Sequence, residues 1–253
     1  MKFYNNKALA GASAPTAYTI DRSLRFRSSA SAYLSRTPAS AGNRKTWTWS
    51  AWGKRGKIDS NLYFLFAANP SFGIRYENNV LSINLRGDST NYFIDFVNVY
   101  RDPSAWYHLV FVCDTTQATS TNRFKVYVNG VQLTTNGSYN SYPPQNYDTG
   151  CNTTNAHYIG RNGFSDSYWY DGYMTEINFI DGQALDPTYF GEYNEDTGVW
   201  QPKKYGGAYG TNGFYLNFSD NTSTTTLGYD TSGNSNNWTA NNISVTSGAT
   251  YDS

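Results

Sequence analysis

The sequence predicts an all-β protein in which two antiparallel sheets pack face to face, with minimal helix. Short apolar segments recur along the chain, and Gly, Pro, Asn or Asp bounds each of them, as strands joined by turns require. Four such segments follow one another in the first half of the chain: LYFLFA, FGIRY, VLSINLR and NYFIDFVNVY. Helical periodicity over several turns is absent. Repeated short strands of this kind are typical of a β-sandwich.

An irregular arm comes first, and we place it at residues 1–20. The three segments that follow have strand-like composition: residues 23–26, 31–35 and 46–54. In the last of them Trp47, Trp49 and Ala51 fall on one face, because side chains alternate between the two faces of a strand.

The segment WYHLVFVCD has apolar residues on both faces, as a central strand requires. One face carries Tyr107, Leu109, Phe111 and Cys113, and the other carries Val110 and Val112. We expect Cys113 to be packed in the core as a free thiol.

A β-hairpin is predicted around Asn129 and Gly130. Both residues tolerate the positive φ that a two-residue type I′ turn demands, and the preceding strand alternates correctly. Period-two burial then predicts the following core residues: Leu24, Phe26, Trp47, Trp49, Leu109, Phe111 and Val126.

One short helical turn is predicted over residues 186–193. Asp186 can cap its N-terminus, and Pro187 suits the first helical position.

These pieces occur in the order W-x-H-L, Y-V-N-G, I-G and then Y-D-G-Y-x-x-E, over roughly residues 20–190. In that order they resemble the laminin-G-like, concanavalin A-like jelly-roll family. The resemblance implies a jelly-roll sandwich and structural roles for His108, His157 and Glu176. It does not imply an activity, because this architecture serves lectins, glycosidases, adhesion modules and virion parts alike.

Residues 213–218 and 229–239 resemble the opening of such a domain, although they follow it here. Either they begin a truncated second domain, or they fold back to complete the only one. We predict the second arrangement, a single sandwich over residues 21–253 in which residues 211–246 supply strands. Phe214, Leu216 and Phe218 would then be the inward residues of a strand beside the N-terminal elements.

The tail also resembles structural proteins of tailed bacteriophages, many of them marine. The resemblance is carried by residues 182–187, 198–203 and 230–234. It implies a protein of the virion, assembled in the host cytoplasm, whose partners are other virion proteins, further copies of itself and a host-surface glycan. The start of the chain lacks the continuous apolar core of a signal peptide, which agrees with that expectation.

The charge balance argues against nucleic acid as a partner. Lys and Arg together number 19, as do Asp and Glu, so the formal net charge is zero. Nucleic-acid binding relies on clustered cations. The one basic run, residues 54–57, is interpreted as a solvated loop. We expect no membrane insertion, since no apolar stretch approaches the roughly 20 residues needed.

The sequence predicts that the protein is not an enzyme. Glycosidases of this fold place carboxylates at alternate positions on one strand, and that pattern is absent. Around Glu176 the same-face neighbours are Met174 and Asn178, which do not ionise. His108 and His157 lack the partners of a nucleophilic triad.

Two loops combine aromatic rings with Asn and Asp, which is the chemistry of sugar recognition. They span residues 139–148 and 162–169, and the binding candidates in them are Tyr142, Tyr147, Asn162, Phe164, Asp166, Tyr168 and Trp169. The alternative is that the rings pack on the sandwich or against a neighbouring subunit, and we favour subunit contact. Asp148, Asp166 and Asp171 could ligate calcium, but Asx turns are their commoner use. No metal or cofactor is predicted.

The main functional hypothesis is therefore a non-enzymatic jelly-roll protein on the surface of a tailed-phage particle, as a head decoration, head fibre or tail appendage. The alternative is a carbohydrate-binding receptor-recognition module. A diverged glycosidase comes third.

Overall fold

The computed structural model describes residues 18–70, 72–88 and 90–246, with the backbone alone at 137–139, and it has the predicted all-β sandwich. Most of the predicted arm therefore lies outside the described residues. Helix within them is limited to four 3-10 turns: Ser28–Ala30, Ser120–Asn122, Pro187–Tyr189 and Thr226–Gly228. No helix in this part of the chain is long and apolar enough to cross a membrane.

The first sheet has seven antiparallel strands. Their spatial order is β1 (Leu24–Phe26), β13 (Gly172–Asp181), β3 (Thr46–Arg55), β8 (Tyr107–Asp114), β9 (Phe124–Val128) and β10 (Val131–Gln132), with β16 (Phe214–Leu216) also paired to β13. Strand β8 is central, as its two apolar faces predicted.

The second sheet has eight strands and supplies the other wall of the core. Their order is β11 (Thr135–Asn140), β7 (Phe93–Val99), β6 (Val80–Asn84), β5 (Phe72–Glu77), β4 (Tyr63–Ala68), β12 (His157–Ile159), β2 (Tyr33–Arg36) and β17 (Thr239–Asn241). A separate two-stranded hairpin is formed by β14 (Gly191–Tyr193) and β15 (Trp200–Pro202).

The core between the sheets contains every predicted core residue. These side chains are fully buried: Leu24, Phe26, Trp47, Trp49, Leu109, Phe111 and Val126. Across the interface the Trp49 ring stacks on Phe66 with centroids 6.1 Å apart, and Trp47 meets Phe72 edge to face at 5.6 Å. The period-two prediction for β3 and β8 is confirmed.

The β9–β10 turn has the predicted geometry. Asn129 has φ of 48° and Gly130 has φ of 81°, as both central positions of a type I′ turn require. A Cβ built on Gly130 would lie 2.6 Å from the Trp200 ring, so glycine also permits the close packing of the β14–β15 hairpin.

A second, smaller core covers the outer face of the first sheet. Val110 and Ile180 lie there, and they pack with Leu185, Phe190 and Tyr205 from the chain that follows β13. The turn at Pro187–Tyr189 belongs to this segment, and the Asp186 carboxylate caps it as predicted, accepting a hydrogen bond from the Thr188 amide at 2.8 Å. The predicted helical range of 186–193 is too long, because Gly191–Tyr193 is strand β14.

The solvated-loop prediction for residues 54–57 is wrong for Arg55. Its side chain is buried, its guanidinium lies 4.5 Å above the Tyr76 ring, and Nη1 donates to Asn79 Oδ1 at 3.0 Å. Arg55 is the last residue of β3 and alternates inward, so the strand register overrides the charge. Burial lowers the pKa of this guanidinium.

The C-terminal segment adds strands to both sheets. Strand β16 pairs with residues 177–179 of β13, on the edge where β1 pairs with residues 172–174. Strand β17 pairs with β2 in the second sheet. Phe214, Leu216 and Phe218 are buried, although the strand ends at Leu216 and Phe218 has φ of 56°.

Cys113 is a free, buried thiol, as predicted, and Cys151 is buried and free as well. Burial raises the pKa of both thiols, so they remain protonated members of the core.

Candidate functional site

The loop at residues 162–169 follows β12 and is organised by Asn162. This side chain is buried, its Oδ1 accepts from the Phe164 amide at 3.2 Å, and its Nδ2 donates to Ser165 Oγ at 3.0 Å. Such an Asx turn fixes the start of the loop. The amide of Asn162 is therefore a structural group of the loop and does not face a ligand.

Arg161 anchors the same loop, a role that no pattern in the sequence predicts. The guanidinium donates to the Ser165 carbonyl at 3.3 Å and forms an ion pair with Asp166 at 3.0 Å. It also lies over the Tyr158 and Tyr33 rings, 4.4 and 4.9 Å from their centroids. Cation–π contacts of this kind hold the loop against the second sheet.

The anchored loop presents two aromatic rings to solvent. Phe164 is 59% exposed and Tyr168 is 44% exposed. Tyr168 has φ of 59°, in the left-handed region that bulky residues rarely adopt. Strained residues of this kind cluster at functional sites, where the surrounding structure holds them in place, and in this chain the buried Glu176 and Phe218 also have a positive φ.

Beside Tyr168 lies a groove with a volume of about 280 Å³. Its walls are Ser28 and Ser29, Lys57, residues 61–63, and the pair Tyr168 and Trp169. These residues come from the first 3-10 turn, the β3–β4 connection and the predicted loop, so only the folded chain brings them together. We name this feature the rim groove.

Hydrogen bonds and an ion pair hold the polar side chains of the rim groove in place. Lys57 Nζ contacts Ser28 Oγ at 2.8 Å and lies 3.9 Å from the Asp171 carboxylate. The Tyr63 hydroxyl donates to Asp59 at 2.8 Å, and its pKa is raised to about 12 by burial and then by that hydrogen bond. The rim groove thus has an ammonium group and a phenol that stays protonated.

The other predicted loop is packed on the sandwich. The Tyr147 hydroxyl accepts from the amides of Gly87 and Asp88 at 2.7 and 3.2 Å and donates to the Asp88 carboxylate at 3.1 Å. Tyr142 packs partly buried against the main core, which raises its pKa. Both tyrosines therefore follow the packing alternative, and we leave them out of the candidate site.

The structure thus keeps four of the predicted residues near the solvent-facing part of one loop: Phe164, Asp166, Tyr168 and Trp169. It adds Lys57, Asn61, Tyr63 and Arg161, which sequence reasoning missed. Their residue types are ordinary in surface loops, and no spacing rule links them, because they meet only through the strand order β4, β12 and β2.

The two histidines are locked in neutral form by their partners. His108 Nδ1 accepts from Trp200 Nε1 at 3.0 Å, and an indole nitrogen can only donate. His157 Nε2 accepts from the Asn152 amide at 3.0 Å. Burial lowers the pKa of His108 to about 3 and that of His157 to about 4. These are structural roles, as the family resemblance implied.

Metal ligands do not cluster in the described part of the chain. No group of three or more His, Cys, Asp or Glu side chains there could hold a metal ion. Of the calcium candidates, Asp171 accepts from the Ser28 amide and hydroxyl at 3.0 and 2.7 Å, and Asp166 pairs with Arg161.

Several solved structures are similar at low sequence identity. A heptameric SAP-like pentraxin from Limulus polyphemus has 16% identity and a TM-score of 0.45, with 67% of this chain and 80% of that chain covered. A Bacteroides ovatus protein, described as a candidate carbohydrate-binding protein, has 16% identity and a TM-score of 0.48, with 87% and 57% covered. The CBM40 domain of a Ruminococcus gnavus sialidase, bound to α2,3-sialyllactose, has 12% identity and a TM-score of 0.40, with 60% and 88% covered.

No curated protein matches the sequence. The family model described as the concanavalin A-like lectin/glucanases superfamily matches residues 28–188, which is more than half of the chain. The protein therefore belongs to the concanavalin A-like lectin/glucanase superfamily.

Proposed function

We propose that the protein binds carbohydrate at the rim groove and does not convert it chemically. The observation that carries this proposal is Tyr168, an exposed aromatic ring held at a φ of 59° at the edge of a groove lined with hydrogen-bonding groups. A solvent-exposed ring in a strained backbone has no role in packing the core.

The chemistry of the rim groove suits a sugar. A pyranose has an apolar face that stacks on an aromatic ring, and hydroxyls that need directed donors and acceptors. Tyr168 and Trp169 provide the rings, and Lys57, Asn61 and Ser29 provide polar groups from other segments. The Arg161 anchor holds the loop in place before binding, which lowers the entropic cost of ordering it.

We propose binding without catalysis because the lining of the rim groove lacks the carboxylates that hydrolysis needs. The family includes both lectins and glucanases, and a glucanase needs two carboxylates flanking the scissile bond. None of the residues that line the rim groove is acidic, and the nearby Asp59 and Asp171 already accept hydrogen bonds from Tyr63 and Ser28.

The test is a glycan array probed with the full-length protein, followed by affinity measurement on the best ligand. Tyr168→Ala should weaken binding about tenfold or more, because the variant lacks the ring that stacks on the sugar. Tyr229→Ala is the matched control, because Tyr229 is 45% exposed and does not line the groove. Equal affinity of the Tyr168 variant and the wild type, or no array signal at all, would contradict the proposal.

The proposal involves no metal or cofactor. Binding should therefore be unchanged when calcium is chelated, since the charges of Asp166 and Asp171 are already matched by Arg161 and Lys57. Loss of array binding in a chelator, with recovery on adding calcium, would show that the site contains an ion.

The setting in which this binding would act is proposed from the sequence resemblance alone. We place the protein on the surface of a tailed-phage particle, in contact with other virion proteins and with further copies of itself, where it would meet glycans on the host. Immunogold labelling of purified particles tests the location. Light scattering of the purified chain tests the self-association, and a strict monomer would contradict it.

A further inference from the structure

A second cleft lies on the outer face of the first sheet and shares no lining residue with the rim groove. Its volume is about 330 Å³, and it lies between residues 20–23 on one side and Trp52, Trp106 and Thr175 on the other. Pockets of this size are large enough for a small ligand. We name it the arm cleft.

An exposed indole at the arm cleft is held in place from below. Trp106 is 37% exposed and packs against the Tyr173 ring with centroids 6.4 Å apart. Tyr173 is in turn fixed by two cations, Arg25 Cζ and Lys54 Nζ, each 5.9 Å from its centroid. A large apolar ring that is both exposed and supported is ready to stack on a ligand.

The opposite wall of the cleft is polar and is tied to the sheet. Thr175 Oγ1 donates to the Arg22 carbonyl at 2.6 Å, which positions the arm beside β13. Asp21 and Arg22 there are exposed and of opposite charge. A carboxylate accepts hydrogen bonds and a guanidinium donates them, so this wall can bind several hydroxyls while carrying no net charge.

The inner wall has an unused donor. Trp52 is only 9% exposed, and its ring stacks on the His108 ring with centroids 5.1 Å apart. Its indole N–H has no hydrogen-bond partner among the described residues. A buried donor left without a partner is costly, and such groups in native proteins call for an explanation.

We propose that the arm cleft is a second carbohydrate-binding site, which takes one neutral pyranose ring stacked on Trp106, with its hydroxyls bonded to Asp21 and Arg22 and its innermost oxygen near the Trp52 indole. On the arm itself the charges of Asp21 and Arg22 offset each other, which suits a neutral sugar. Together with the rim groove, this site makes the protein bivalent, so that its binding to a glycan-coated surface exceeds its binding to a free sugar.

The test uses indole N–H signals of the full-length, ¹⁵N-labelled protein in NMR spectra. The probes are methyl glycosides of glucose, galactose, mannose and N-acetylglucosamine, added to about 50 mM because one ring contact gives only millimolar affinity. Trp→Phe variants at positions 52, 106 and 169 assign the signals. We expect at least one probe to shift the Trp52 and Trp106 signals, and to do so equally in the Tyr168→Ala protein.

Two variants then test the residues of the cleft. Trp106→Ala should weaken the titration of the Trp52 signal about tenfold, and Asp21→Asn should weaken it to a smaller degree, while Tyr229→Ala should leave it unchanged. Both substituted positions are exposed, so the fold should be retained, and the unshifted signals of Trp47 and Trp49 in the core report on it.

The outcomes separate the two proposals. If no probe shifts the Trp52 and Trp106 signals, the arm cleft is not a pyranose site, whatever Trp169 at the rim groove does. If they shift and Trp169 does not, the second site stands and the rim groove loses support. If Tyr168→Ala abolishes the shifts at Trp52 and Trp106, the two clefts are not independent, and the proposal of a second site is overturned.

Discussion

The Tyr215 hydroxyl donates a hydrogen bond to Glu176 Oε2 at 2.6 Å and so ties the C-terminal strand β16 to a β-bulge in β13. Tyr18 donates to the same oxygen at 2.9 Å. Glu176 has φ of 51° and is buried, and burial raises its pKa despite the two donors. The glutamate implied as structural by the family resemblance thus joins three distant segments of the chain.

Replacing Tyr215 with Phe should lower the free energy of unfolding by about 1–3 kcal/mol, because a buried carboxylate loses a charge-assisted hydrogen bond. Chemical denaturation at pH 7 measures it. In Glu176→Gln the same Tyr215 substitution should cost less, since the partner is then neutral. An equal cost in both backgrounds would mean that the two side chains are not coupled.

Glu176→Gln should also change how stability depends on pH. The folded pKa is raised, so the folded protein holds the proton at pH values where the unfolded chain has lost it, and stability falls as pH rises from about 4.5 through the folded pKa. The variant should lack this decline. Denaturation midpoints between pH 4.5 and 7 that decline equally in both proteins would assign the effect to other groups.

Glu176 should have no catalytic role. Wild-type protein incubated with β-glucans should release no new reducing ends, because the Glu176 carboxylate is buried and already accepts hydrogen bonds from Tyr215 and Tyr18. Hydrolysis by the wild type that disappears in Glu176→Gln would establish the glycosidase interpretation instead.

The buried histidines should make the protein sensitive to mild acid. Both folded pKa values lie below the unfolded value of 6.5, at about 3 for His108 and about 4 for His157. The unfolded state then binds more protons as pH falls below 6.5, so stability present at neutral pH is lost progressively, with a slope approaching ~1.4 kcal/mol per pH unit for each histidine. Denaturation between pH 7 and 4.5 measures this slope, most cleanly in the Glu176→Gln background, which removes the opposing contribution.

A matched variant checks the assignment to these residues. His157→Gln should halve the slope, since one of the two titrating groups is gone. A stability that stays flat from pH 7 to pH 4.5 in the Glu176→Gln background would show that the histidines are accessible to protons in the folded state.

Deleting the chain after Gly210 should give insoluble or molten protein. The deletion removes β16 and β17, and it exposes surface that Phe214, Leu216 and Phe218 now cover. Full burial of each such side chain contributes roughly 1.5–3 kcal/mol, against a typical total of about 5–15 kcal/mol. A truncated protein that melts as cooperatively as the full chain, and at the same temperature, would make these residues a separate unit.

The sequence by itself determined the features that depend on neighbouring residues. Alternation in β3 placed Trp47 and Trp49 in the core, and Asn129–Gly130 fixed the hairpin, because strand periodicity and turn dihedrals are local properties. The capped turn at Asp186 was predictable for the same reason. The order of the motifs further predicted the family and the jelly-roll sandwich.

Tertiary structure decided which of the polar and aromatic residues face solvent. Tyr147 and Tyr168 are both loop tyrosines, yet Tyr147 is hydrogen-bonded to the backbone of the β6–β7 connection whereas Tyr168 is exposed. Arg55 belongs to a basic run, but the register of β3 buries it. The rim groove and the arm cleft are both assembled from segments far apart in the chain. The pairing of non-consecutive strands brings the lining residues of each cleft together, and no local pattern in the sequence predicts that pairing.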